Sequence, residues 1–86
     1  MKIKSVFSLK QDGKHYSVIA DGQPPREVLS LDELSAFLFE KISGGTDSKE
    51  QLLNDVLERF DISAVLALSE IDGLLKELRE NGITES

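Results

Sequence analysis

The stretch Arg26–Gly45, REVLSLDELSAFLFEKISGG, decides the fold. It predicts a short strand over Arg26–Leu29 that runs without a loop into a helix over Leu31–Ile42. Ser30 and Glu33 have the S-x-x-E spacing of a capping box, in which each residue satisfies a helix donor of the other. Gly44 and Gly45 end the helix, because glycine takes the left-handed conformation at little cost. Leu31, Leu34, Leu38 and Ile42 fall on one helical face, with Phe37 and Phe39 beside it, which is a stripe wide enough for a core helix.

Upstream, Lys2–Lys10 reads as a strand. Ile3, Ser5, Phe7 and Leu9 share one face at period two, and Lys2, Lys4, Ser8 and Lys10 dominate the other. Asp12-Gly13 is a hairpin signal, and His15–Ala20 is the return strand. Asp21-Gly22 makes a second turn. Pro24 and Pro25 follow, and prolines cannot donate to a ladder. They suit the entrance to an edge strand, so Arg26–Leu29 is predicted to be the edge of a three-stranded meander.

Downstream, Ser48 and Gln51 form a second box ahead of a helix whose stripe is Leu52, Leu53, Val56, Leu57 and Phe60. Asp55 and Arg59 are predicted to make an exposed i,i+4 pair. Ser63 is the N-cap of a third helix that runs to Asn81 and stops at Gly82. Its stripe reads Ala64, Leu68, Ile71, Leu74, Leu75 and Leu78, and Leu78 and Ile83 are placed to touch across a Schellman stop. Glu85 and Ser86 are expected to fray. The fold class is α+β: a three-stranded antiparallel sheet followed by a three-helix bundle.

Composition narrows the function. The 86 residues make one domain. There is no cysteine, which excludes disulfides and thiolate metal sites, and His15 is the single histidine. Met1–Leu9 lacks the apolar run of a signal peptide. No apolar segment approaches the ~18 residues of a membrane span, so a cytoplasmic location with no membrane partner is expected. Met1–Arg26 carries five basic and two acidic residues, net +3, while Glu27–Ser86 carries five basic and fourteen acidic, net −9, which together give the −6 of the chain. Nucleic-acid binding draws on phosphate neutralisation, which the acidic helical part opposes.

Single residues add little chemistry. His15 next to a turn reads as a surface residue and not as a proton shuttle. Glu70, Asp72, Glu77 and Glu80 read as a solvated face, because helical spacing scatters them and oxygen-ligand cation sites need convergent loops. No catalytic or metal site is indicated. Two features remain open. Val65 and Leu66 lie off the expected core stripe: they either pack under the turn before the helix or form an apolar patch for a partner. Gly73 sits in mid-helix, where glycine is unfavourable: it is either tolerated or leaves room for another backbone.

These segments together resemble the family of the pyrroloquinoline-quinone biosynthesis protein D. The resemblance rests on Leu31–Gly44 with its Leu38-Phe39 pair, on Ser48-Lys49-Glu50-Gln51-Leu52, on Phe60-Asp61-Ile62-Ser63, and on Leu74–Ile83 with its ending at Gly82. Glu70, where the family often has Asp, and Thr84, where it often has an aliphatic residue, depart from the pattern. The resemblance implies a winged-helix-like fold and a non-catalytic, cofactor-free peptide-recognition domain. Such a domain holds the leader segment of a ribosomally made precursor peptide and presents it to a modifying enzyme, often a radical S-adenosylmethionine enzyme.

The leader would add as a strand at Arg26, Glu27, Val28, Leu29 and Ser30. Its groove would be walled by Val65, Leu66, Ser69, Asp72 and Lys76. An unpaired edge is a template for such β-augmentation. Two other classes share the outline: a winged helix that binds nucleic acid, and a structural module that forms a homodimer through its edge. The third helix lacks a base-reading face of Arg, Lys, Asn or Gln, which counts against the first.

Overall fold

The computed structural model of the chain describes residues 1–85. β1 (Phe7–Asp12), β2 (His15–Ala20) and β3 (Arg26–Leu31) form an antiparallel sheet in the order β1-β2-β3. The helices α1 (Glu33–Ser43), α2 (Lys49–Arg59) and α3 (Ala64–Glu80) follow. Asp12 pairs with His15, so the hairpin loop is Gly13-Lys14, and Gly13 has a φ of 65°, where glycine is favoured.

The first strand is shorter than its alternation predicts. The chain turns at Ser5-Val6, where the Phe7 N–H donates to the Lys4 carbonyl at 3.1 Å. Before the turn it pairs with the segment after α3 instead. Ile3 bridges Thr84, the Lys4 N–H donates to Ile83, and the Glu85 N–H donates to Lys2. Period-two alternation reports which face a residue occupies, not which strand it pairs with, so Ile3 is half-buried as expected beside a different partner. Glu85 is accordingly bonded and not frayed, and Ser86 lies outside the described residues.

β3 continues to Leu31, which is buried opposite Tyr16, and Asp32 rather than Ser30 caps α1. The Asp32 carboxylate accepts from the Ser35 N–H at 2.8 Å. Ser30 is held in the ladder opposite Ser17, so α1 begins at Glu33 and not at Leu31. At the far end Gly44 is the C-cap, and Gly45, at φ 108°, takes the positive φ.

Ser48 and Ser63 cap as predicted, accepting from Gln51 and Leu66, but the expected Ser48–Gln51 box is one-sided. Gln51 Nε2 reaches forward to Asp55 at 3.1 Å. Asp55 therefore does not pair with Arg59, whose guanidinium lies over the Phe60 ring. The Schellman stop also forms. The Ile83 N–H donates to Leu78 at 2.8 Å and the Gly82 N–H to Arg79 at 3.1 Å, with Leu78 and Ile83 both fully buried.

Two stripes are corrected. Leu57 is 39% exposed instead of buried. In α3 the buried positions are Ala67, Ile71, Leu74 and Leu78, while Ala64 is exposed and Leu68 is 39% exposed. α1 supplies the centre of the core through Leu38, Phe39 and Ile42. It lies against all three strands and against α2 and α3, so the sheet and the outer helices meet through it.

Candidate peptide-binding edge

β3 pairs only with β2, so among the described residues its other side carries no strand. Ile19 pairs with Glu27 and Val18 with Leu29, which leaves Val28 as the extra residue of a β-bulge. A bulge lets consecutive side chains lean to one side. Both Val28 and Leu29 are half-buried against the core, while Arg26, Glu27 and Ser30 are exposed. No Cα of β3 lies within 8 Å of a Cα of α3.

Glu27 points to the outer face of the sheet. Its carboxylate takes a hydrogen bond from Ser17 and lies 3.4 Å from His15 Nε2, and these contacts hold it below the ordinary carboxylate range. With Ser8, Lys10, Ile19 and Pro25 this group lines a cavity of about 630 Å³. The sequence shows His15 as an isolated side chain. Its neighbour twelve residues on becomes visible only with the β2–β3 register.

Val65 and Leu66 are 79% and 56% exposed, so they do not pack under the α2–α3 turn. The other sequence-named positions on α3 divide differently from expectation. Asp72 forms an ion pair with Lys49 at the start of α2, and Lys76 lies 3.9 Å from Glu80. At ~100° per residue, Val65, Ser69, Asp72 and Lys76 are centred about 160° from the buried stripe, on the outward side of the helix. Ser69, Asp72 and Lys76 lie on the outer side of α3, and Leu66 lies on another flank, ~100° from the buried stripe. Among the described residues no group of three His, Cys, Asp or Glu is placed to hold a metal, and no helix is long and apolar enough to cross a membrane.

The family profile of Coenzyme PQQ synthesis protein D (PqqD) matches residues 19–83, which span β2 to the Schellman stop. The chain belongs to the PqqD family. Among solved structures it is similar to TbiB1 in complex with the TbiA(beta) leader peptide, with a TM-score of 0.78 over 100% of this chain and 96% of that one. At 13% identity this likeness is one of fold. No curated protein sequence matches. The PqqD profile begins within β2, so β1 and the N-terminal segment bonded to Ile83–Glu85 lie outside the matched span.

Proposed function

We propose that this PqqD-family chain binds the leader segment of a ribosomally synthesised precursor peptide and presents it to a modifying enzyme. The leader adds as a strand to β3, contacting the backbone of Arg26–Ser30 and the side chains of Val28, Leu29 and Leu66. Main-chain bonds supply affinity, and side-chain contacts supply register. The observation that carries this reading is the outer edge of β3, which pairs with no strand among the described residues. Family membership, and a similar fold solved with a leader peptide, support it.

The chain itself performs no chemistry in this reading. A partner enzyme, of the radical S-adenosylmethionine class, modifies the held precursor in the cytoplasm. The absence of cysteine and the single histidine agree with a binding role.

An amide chemical-shift titration with the leader of its precursor tests the proposal. Shifts are expected at Arg26–Ser30 and along α3. Shifts confined to the hairpin around Asp12 and Gly13 would refute it. Concentration-dependent shifts at β3 without any peptide would instead favour a homodimer through the same edge.

A further inference from the structure

We propose that the outer seam of the α2–α3 hairpin, built from Leu53, Leu57, Ala64, Val65 and Leu68, docks a basic amphipathic helix of the partner enzyme. The identity of the partner rests on the leader-presenting reading; the chemistry of the surface stands without it.

The Lys49–Asp72 ion pair fixes how the two helices meet. Both side chains are more than half exposed, so the pair marks the solvent side of the seam. Only residues 60–63 join α2 to α3, so the helices run antiparallel. One turn toward the connection, at i+4 from Lys49 and i−4 from Asp72, stand Leu53 and Leu68. One turn further stand Leu57 and Ala64. The ion pair thus continues as two apolar rungs, with Val65 three residues from Leu68 on the same face. α1 lies against both helices and all three strands, and the buried residues Leu52, Val56, Ala67 and Ile71 share its core. The seam therefore faces away from the sheet, and a partner held there leaves the β3 edge free.

The rungs are uncovered. Of the five exposed large hydrophobic side chains among the described residues, Leu57, Val65 and Leu68 gather on this one seam. Single exposed apolar residues are ordinary, whereas a contiguous set marks an interaction site.

Charge decides the occupant. Glu50 and Asp61 stand at i−7 and i+4 from Leu57, on the same side of α2. Both are exposed, and among the described residues neither is ion-paired. The lysines on this side are already engaged, Lys49 by Asp72 and Lys76 by Glu80. A second copy would set Glu50 and Asp61 against their own kind, and an anionic lipid surface would be repelled. A helix with an apolar face and Lys or Arg along its edges fits both the rungs and the rim. The apolar run is short, which suits a transient contact.

The probe is a labelled Leu/Lys amphipathic helical peptide, with a Leu/Glu peptide of the same apolar face as its counterpart. Titrated into the full chain, the Leu/Lys peptide should shift the amides of Leu53–Leu57 and Ala64–Leu68 and leave Arg26–Ser30 unmoved. The Leu/Glu peptide should not bind. Val65→Lys should weaken Leu/Lys binding about tenfold in fluorescence anisotropy and leave the melting temperature unchanged. Leu57→Gln should weaken it likewise; should that variant melt early, Val65→Lys still decides. Glu50→Gln with Asp61→Asn should reduce the salt dependence, whereas Glu70→Gln with Glu77→Gln, on the other flank of α3, should not. Equal effects of the two charge pairs would mean diffuse attraction to an acidic chain and overturn the site. Binding unchanged by Val65→Lys, or equal binding of the Leu/Glu peptide, would overturn it too. Seam shifts that grow with protein concentration in the absence of peptide would assign the surface to a second copy instead. Seam shifts with no leader response at β3 would sink the leader reading and leave the docking surface standing; a leader response at β3 with no seam shifts would do the reverse.

Discussion

Replacing Leu66 with glutamine separates binding from folding at one residue. Leu66 is the third residue of α3, and its N–H donates to Ser63 Oγ at 3.2 Å. Glutamine there completes an S-x-x-Q capping box, so the helix start gains a reciprocal bond while the buried part of the leucine is lost. These effects oppose one another, and a net change under ~1 kcal/mol moves the melting temperature by less than ~4–8 °C in a domain of this size. Binding has no such compensation. Burying a whole leucine side chain is worth ~1.5–3 kcal/mol, and the 56% still exposed is what a peptide can cover. Loss of that share is ~0.8–1.7 kcal/mol, or roughly 4- to 16-fold in Kd. Fluorescence anisotropy with a labelled leader peptide reads the affinity, and a thermal melt reads the fold. Val65→Gln is the companion variant: Val65 is 79% exposed but points outward and toward α2, so its affinity should match that of the unaltered chain. Equal losses in both variants, or none in Leu66→Gln, would refute the placement of the groove. A melting temperature lowered beyond the stated range would show that Leu66 acts through the core.

Three further outcomes concern the fold around the site. Asp32→Ala should cost ~0.5–2 kcal/mol in urea denaturation because it removes the α1 cap, whereas Ser30→Ala should stay within ~0.5 kcal/mol; the reverse order would restore Ser30 as the cap. Leu38→Ala, at a fully buried position of α1, should cost ~2–5 kcal/mol by the same measurement, and a smaller loss would mean that the sheet–helix core collapses around the cavity. Ser17→Ala should change the acid side of the stability profile. Glu27 is held below its ordinary range, first by Ser17 and then by His15, so its contribution is present above the unfolded carboxylate pKa of ~4.3 and lost as pH falls through the lowered folded value. Melting curves between about pH 7 and about pH 3 should fall less steeply for the variant, and parallel curves would remove Ser17 as the cause.

The elements were legible where a local signal had no competitor. Ser48 and Ser63 each precede a single apolar run, and both cap as predicted. Gly82 stands alone after α3 and stops it. Around Ser30-Leu31-Asp32-Glu33 two cap signals overlap, and local chemistry ranks serine and aspartate alike. The pairing of Ser30 with Ser17 and of Leu31 with Tyr16 decides between them, and that information lies thirteen to fifteen residues away. In α3 the ambiguity is of another kind. Ala64-Val65-Leu66-Ala67-Leu68 is apolar at five consecutive positions, so no period can be read from it. Which of the five is buried depends on the neighbouring helices, and Ala67 is the one that is.

The same ambiguity divides the candidate site into a legible half and an illegible one. A free edge can be read from local chemistry, because Pro24 and Pro25 deny a ladder its donors just before Arg26. A wall cannot, because the flank a helix presents depends on the side its neighbour takes. Here that side is fixed by Lys49 and Asp72, twenty-three residues apart, and by Phe60 beside Phe37. The expected α3 stripe shares Ile71, Leu74 and Leu78 with the observed one and departs from it at Ala64 and Leu68, which are exposed, and at Ala67, which is buried. Gly73 is a local signal that does not depend on that difference. It breaks helix preference, and no neighbour in the chain requires it. Local preferences that a fold violates without internal compensation are expected where function makes a competing demand. Gly73 lies on the flank of α3 away from the Lys49–Asp72 ion pair, and a Cβ there would meet open space.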